Sequence, residues 1–185
     1  MKHSLVVVSG PSGVGKGTIV KTLVKRREDV VESVSCTTRA PREGERHGRE
    51  YFFLSKEEFL KRVDEGDFLE YDEHFGNYYG TPKSFVKEML KSKSVILEID
   101  VVGALNAKKA FPDCKLVMIV PPSLEELKRR LIGRNSETEE EIEKRLSRLE
   151  YELSKKDEYD FVIVNDDLEE AIKALSDIVD INANA

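Results

Sequence analysis

Near its amino terminus the chain reads Gly10-Pro-Ser-Gly-Val-Gly-Lys-Gly-Thr18, a set of residue types suited to holding a polyphosphate. Glycines let the backbone curl until several N–H groups face one anion, and a following helix adds the partial positive charge of its N-terminus. Lys16 can then reach the β- and γ-phosphates. Gly10, Pro11, Ser12, Gly13, Val14, Gly15, Lys16, Gly17 and Thr18 are therefore the candidate triphosphate-binding residues. One position departs from the usual pattern. Where Ser or Thr commonly follows the lysine and meets Mg²⁺, this chain has Gly17, which leaves Thr18 or Ser12 to reach the phosphates.

A second group of residues suits another phosphate. Thr37-Thr-Arg39-Ala-Pro-Arg42 sets two guanidinium groups on a path stiffened by Pro41, and Tyr51 and Tyr78-Tyr79 add phenolic donors. Arginine forks and tyrosine hydroxyls match the terminal oxygens of a phosphate. The phosphate loop alone is compatible with a GTPase-type switch, an ATP-driven machine or a kinase for a small acceptor. Asp100-Val-Val-Gly103 matches the short DxxG pattern of GTPases, but no Asn-Lys-x-Asp follows it, and Asn165-Asp-Asp167 is not that motif. Two arginines placed for a second phosphate favour the kinase.

These groups need elements to carry them. Leu5–Val8 is a short β-branched run ending at the glycine turn, the pattern of a strand buried on both faces of a parallel sheet. Ile19, Val20, Leu23 and Val24 fall at helical spacing behind Lys16. Val95–Ile99, Leu116–Val120 and Phe161–Val164 are predicted to be further buried strands. Helices are predicted over Ala104–Ala110, Leu124–Leu131 (opened by Ser123 with Glu126), Glu139–Leu153 (opened by Thr138 with Glu141) and Leu168–Val179. The alternation predicts a three-layer α/β fold with a parallel sheet. Residues 33–81 break the rhythm and predict an inserted mixed lobe. It has strands at Ser33–Thr38 and Glu50–Leu54, a short helix opened by Ser55-Lys-Glu-Glu58 and ending near Gly66, the stretch Phe68–Glu73, and a turn-rich stretch at Gly76–Gly80. A polar stretch, Gly133–Thr138, reads as a flap between two arginine-bearing helices.

Composition narrows the function classes. The 185 residues are 39% hydrophobic and 36% charged, with 30 Lys and Arg against 36 Asp and Glu and a net charge of −6. Sequence-independent nucleic-acid binders usually show a basic excess, so no nucleic-acid partner is expected. No apolar run approaches the roughly 18 residues of a membrane helix, and Leu5–Val8 is too short for a secretory core, so the expectation is a cytoplasmic protein without a membrane partner. Cys36 and Cys114 form no metal-ligand pattern and read as reduced thiols. His3, His47 and His74 lack ligand spacing and read as non-catalytic.

Several segments together resemble guanylate kinase in order and spacing. They are Ser35-Cys-Thr-Thr-Arg39-x-Pro-Arg42-x-Gly44-Glu45, His47-Gly48-x-x-Tyr51-x-Phe53, Phe68-Leu-Glu70-Tyr71 and Gly76-Asn-Tyr-Tyr-Gly80-Thr81. Glu98-Ile-Asp100-x-x-Gly103, Pro121-Pro-Ser123, Arg130-Leu-x-Gly-Arg134 and Ile163-Val-Asn165-Asp-Asp167 continue the match, which runs from about Leu5 to Val179. The resemblance implies transfer of the ATP γ-phosphate to GMP with Mg²⁺. It also implies one domain over 1–185, with a core (1–32, 82–123, 157–185), a GMP lobe (33–81) and a lid (124–156). By the same resemblance Ser35, Arg39, Arg42, Tyr51 and Tyr79 hold the GMP phosphate, while Glu70, Thr81 and Asp100 read the guanine. Lys16, Arg39 and the lid arginines Arg130, Arg134 and Arg145 serve the transferring phosphoryl group. Asn165 lies near the adenine through its side-chain amide, and the metal is held mainly by phosphates and water, near Thr18, Glu98 and Asp100.

Chemistry supports the guanine assignment separately. The guanine edge presents N1–H and the N2 amino group side by side, which a carboxylate can accept, whereas adenine offers an unprotonated N1. The wrong base leaves polar groups unpaired, at about 1–3 kcal/mol each. Two departures from the family stand out: Glu98 where many relatives carry Asp, and Asn135 where Gly is common. Two rival readings remain. One is a non-catalytic guanylate-kinase-like module that binds protein partners, against which Lys16 and the lid arginines are retained. The other is a different nucleoside monophosphate kinase, since Gly15-Lys-Gly-Thr18 also resembles the adenylate kinase loop. Oligomeric state is left open.

Overall fold

A run of apolar residues with no polar interruption suits a strand buried on both sides, and β1 (Leu5–Ser9) is buried at every position. It forms the middle of a five-stranded sheet in the computed structural model, which describes residues 3–74, 76–123, 125, 127 and 139–181, with the backbone alone at 74, 139, 141, 142 and 145. The other strands are β2 (Val30–Glu32), β7 (Ser94–Glu98), β8 (Lys115–Val120) and β9 (Phe161–Val164). Their order is β2-β7-β1-β8-β9, and every pair is parallel. Side chains alternate between two faces. On one face Val6, Val8, Ile96, Val117 and Ile119 pack with Ile19, Val20 and Leu23 of α1 (Lys16–Arg26) and with Ile172 and Leu175 of α6 (Leu168–Asp180). On the other face Leu5, Val7, Val95, Leu97 and Leu116 meet Val86 of α3 (Lys83–Met89) and Ala104 and Ala107 of α4 (Val101–Ala110). The result is the three-layer α/β arrangement the sequence predicts.

Residues 36–82 build a second, four-stranded sheet in the order β4-β3-β6-β5, from β3 (Cys36–Thr37), β4 (Phe52–Phe53), β5 (Phe68–His74) and β6 (Asn77–Pro82). β5 and β6 form an antiparallel hairpin, with a register shift between Phe68 and Glu70. α2 (Lys56–Asp64) closes the apolar side, where the Phe59 ring stacks on Phe68 at 4.4 Å and on Tyr78 at 5.4 Å between centroids. Its start is fixed by a capping box: Ser55 Oγ accepts from Glu58 N (3.1 Å) and Glu58 Oε2 accepts from Ser55 N (2.8 Å).

The structure differs from the sequence reading at several places. Gly76–Gly80 is not a turn-rich stretch but mostly strand β6; only Gly76, at φ 77°, takes the left-handed turn conformation, and the tyrosines after it suit a pleated ladder. The expected strand Ser33–Thr38 shrinks to Cys36–Thr37, and Val30–Glu32 before it joins the main sheet as an edge strand. α3 has no counterpart in the reading. α4 begins three residues earlier than its apolar spacing suggests, because Asp100 Oδ1 accepts from Gly103 N (2.8 Å) and caps it. α5 (Glu139–Ser154) follows the expected span; of the expected Leu124–Leu131 helix only Glu125 and Leu127 are described, both helical, and the Thr138 cap lies outside the described residues.

The link from β1 to the site is Gly10, whose φ of 137° is one that side chains rarely adopt. A Cβ there would sit 2.1 Å from the Ile119 carbonyl oxygen of β8. Gly10→Ala is therefore expected to destabilise the fold by about 2–4 kcal/mol, measured by urea unfolding.

Candidate functional site

The carboxyl ends of β1 and β7 lie side by side, with Val8 beside Glu98 in the parallel register. The chain leaves β1 into the phosphate loop and leaves β7 into Glu98-Ile-Asp100, so two clefts open next to each other. Ligands commonly bind at this end of a parallel sheet.

The first cleft, about 450 Å³, is lined by Ser12, Gly13, Gly15, Lys16, Gly17, Thr18, Lys21 and Glu98. Gly13 and Gly15 take positive φ values of 80° and 97°, which aim successive amides inward. Lys16 Nζ folds back over the loop and donates to the carbonyls of Gly10 (2.6 Å) and Pro11 (2.9 Å). Burial pushes this lysine below its ordinary range, while Glu98, Glu152 and Asp100 act the other way. An entering polyphosphate would compete with those two carbonyls for the ammonium. Asn165, at the end of β9, donates from Nδ2 to the Val14 carbonyl (2.7 Å), and a Cβ on Gly15 would meet that nitrogen at 2.5 Å. One hydrogen of the amide that the resemblance places near adenine thus braces the loop. Behind the loop, Ser9 Oγ hydrogen-bonds the Tyr159 hydroxyl, a phenol that burial pushes up to about 12.

Gly17 has a structural partner. A Cβ at this position would lie 3.3 and 3.5 Å from the two Glu98 carboxylate oxygens. The space that a loop Ser or Thr would fill is thus partly taken by the longer carboxylate from β7. Among the described residues no hydrogen bond or ion pair claims that carboxylate, and Glu98 lines both clefts.

The second cleft, about 410 Å³, lies between the two sheets, and its wall includes Ser35, Tyr51, Glu70, Tyr79, Asp100, Gly103 and Arg148. Glu70 Oε1 accepts from the Thr81 hydroxyl (2.6 Å), so Thr81 stands buried behind the carboxylate. Burial pushes Glu70 above the usual carboxylate range; the Thr81 bond opposes this and nearby Asp100 adds to it. A Cβ on Gly103 would sit 3.3 Å from Asp100 Oδ1 and 3.4 Å from Glu70 Oε2. The four residues that resemble a GTPase motif are thus a helix cap followed by a glycine that lets two carboxylates converge.

Arg39 stands at the rim with its guanidinium over the Tyr51 ring at 5.6 Å and its Nη2 on Glu45 Oε1 at 2.9 Å. The other Glu45 oxygen accepts from the Arg42 backbone N (2.7 Å), so one carboxylate sets both arginines' segment. The Arg42 side chain is exposed. Arg130 and Arg134 lie outside the described residues, as does the side chain of Arg145 on α5. Residue types and spacing did not single out Glu45, Glu152, Tyr159 or Arg148. Only Glu45 left a sequence signal, its place in the Arg42-x-Gly44-Glu45 run.

A family model described as guanylate kinase matches residues 2–182. The guanylate kinase of Clostridium perfringens (strain SM101) is 51% identical over 176 residues, 95% of this chain and 82% of that protein. That of Clostridioides difficile (strain 630) is 47% identical over 184 residues, 99% and 90% of the two chains. Among solved structures, guanylate kinase from Anaplasma phagocytophilum superposes with a TM-score of 0.72 at 35% identity, covering 96% of this chain and 85% of that one. A shikimate kinase from Bacteroides thetaiotaomicron shares the fold, with a TM-score of 0.55 at 16% identity, covering 96% of this chain and 99% of that one.

The buried Glu70 carboxyl gives a pH signature. Because its pKa rises on folding, the native state keeps this proton to higher pH than the unfolded chain does. Stability is therefore lost as pH climbs from the unfolded carboxylate range through the native pKa. Glu70→Gln removes that loss, so relative to the unsubstituted protein it should gain stability between pH 4 and pH 8 in urea unfolding. An equal difference at both pH values would contradict the burial assigned to this group.

Proposed function

The chain belongs to the guanylate kinase family, and from that premise we infer that it is an ATP:GMP phosphotransferase, moving the γ-phosphoryl group of ATP to GMP and giving ADP and GDP. The observation that carries the reading is the pair of adjoining clefts, one an amide-lined loop with Lys16, the other walled by Glu70 and Asp100, meeting at Glu98.

In this reading the loop from Gly10 to Thr18 takes the ATP phosphates, and Lys16 moves from the Gly10 and Pro11 carbonyls onto them. Ser35, Arg39, Arg42, Tyr51 and Tyr79 hold the GMP phosphate. Glu70 and Asp100 accept from the guanine edge, with Thr81 fixing the Glu70 carboxylate. A GMP phosphate oxygen, already anionic, forms the new bond to the γ-phosphorus as the bond to the β-bridging oxygen breaks, so no general base is needed. Charge on the equatorial oxygens is met by Lys16 and Arg39 and, closing from the lid, by Arg130, Arg134 and Arg145. The lid also keeps water from the γ-phosphate. The corresponding division is a core (1–32, 82–123, 157–185), a GMP lobe (33–81) and a lid (124–156). Asn165 braces the loop at Val14 and lies near the adenine through the rest of its side-chain amide.

The reaction of this family generally uses Mg²⁺, which neutralises polyphosphate charge when bound. Among the described residues no cluster of three or more His, Cys, Asp or Glu could hold a metal alone. The donors that are present, Thr18, Glu98 and Asp100, fit a cation brought in on the nucleotide's own phosphates. Glu98 is the carboxylate best suited to hold it, because Gly17 leaves room for it at the loop. Among the described residues no helix is long and apolar enough to cross a membrane. A reducing cytoplasm suits the two cysteines, both buried and both with thiols pushed up to about 11.

ADP formation should depend on GMP and be poorly supported by AMP or UMP, in an assay coupled to ADP release. Equal turnover of AMP would assign a different acceptor, and no turnover with any acceptor would point to a binding module. Lys16→Ala should lower kcat by about 10²–10³-fold with the thermal transition retained; near-normal turnover would remove the loop from the reaction.

A further inference from the structure

The roles above leave Arg148 unused, yet α5 carries it to the wall of the second cleft. Leu149 beside it is 2% exposed, and Leu153 packs with Val101, Met118 and Val120, so this half of α5 is docked on the core next to α4. From there Arg148 Nη2 donates to Asp100 Oδ2 (3.2 Å) and Nε donates to Glu152 Oε1 (3.1 Å). Glu152 is a buried carboxylate with its side chain 8% exposed. Asp100 is thereby held at both oxygens: Oδ1 by the Gly103 amide of its own helix, Oδ2 by a cation from another element. Each carboxylate oxygen has two acceptor sites, so these bonds leave capacity for a ligand's hydrogens.

Resting on the acceptor reading above, we propose that Arg148 is a positioning residue for base selection: by gripping Asp100 Oδ2 against the α4 cap it sets the plane of that carboxylate before GMP arrives. A carboxylate otherwise turns about its last torsion. Fixing it in advance removes an ordering cost that binding would have to meet. The same guanidinium supplies positive charge where Glu70, Asp72, Glu98 and Asp100 crowd one recess. The Arg148 side chain is 60% exposed, so its ion pairs contribute little to global stability and their effect belongs in ligand binding.

The test is calorimetric titration of GMP, and separately of a non-hydrolysable ATP analogue, into the full chain and its variants. Arg148→Ala should weaken GMP binding by about three- to fivefold, the scale of a partly exposed ion pair. The ATP analogue should move by less than about twofold, and Arg148→Lys should recover part of the loss. In an Asp100→Asn background, where Asn still caps α4, the Arg148→Ala change should move GMP affinity by less than about 1.5-fold, since it acts through Asp100. Unchanged or tighter GMP binding by Arg148→Ala would overturn the proposal, as would an equal loss in the Asp100→Asn background. If Asp100→Asn itself binds GMP as the unsubstituted chain does, the base-reading assignment beneath the proposal fails. If Asp100→Asn loses affinity while Arg148→Ala does not, the proposal alone fails.

Discussion

The parallel pairing that sets Val8 beside Glu98 is the constraint on which the rest depends. Two strands that end together release their following loops side by side. One loop curls into an amide-lined cradle; the other carries Glu98 and Asp100 and then caps α4. No long-range adjustment is needed to bring a donor cleft against an acceptor cleft, because the register of one strand pair does it. The β-branched run in β1, buried on both faces, holds that strand in the centre of the sheet.

Such an arrangement collects carboxylates. Glu70, Glu98 and Asp100 face one recess, and like charges at short range disfavour one another. The structure offsets this with specific contacts rather than with net charge. The Thr81 hydroxyl and the Gly103 amide each take one carboxylate oxygen, and Lys16 and Arg148 stand as cations at the two ends. Gly17 and Gly103 serve the same crowding in another way, since each lacks the atom that would meet a carboxylate oxygen at 3.3 Å. The glycine after the loop lysine, an oddity in the sequence, becomes intelligible only with Glu98 drawn in beside it.

Much of this was legible beforehand, for physical reasons. Parallel strands leave continuous apolar runs, and β9 was delimited to the residue, although it lies at the sheet edge with only Ile163 buried rather than being buried on both faces. The phosphate loop declares itself because glycines, lysine and helix must follow a strand in that order. Ser55 and Glu58 announced α2 through side chains that bond the backbone locally. What stayed hidden depends on contacts distant in sequence. β2 is three residues long and exists because β7 offers an edge. The strand character of Tyr78 and Tyr79 was masked by the glycines on either side of them. Nothing local shows that Arg148 reaches Asp100, 48 positions away. The bond from Asn165 to the Val14 carbonyl, 151 positions away, left no trace in the sequence either.

The measurement that bears most directly on this account is a crystal structure with GMP and a non-hydrolysable ATP analogue bound together. The account predicts the guanine edge against the carboxylates of Glu70 and Asp100, the polyphosphate in the loop before α1, and the two reacting phosphates meeting beside Glu98. A guanine ring seated away from residues 70 and 100, with the loop occupied as described, would contradict it.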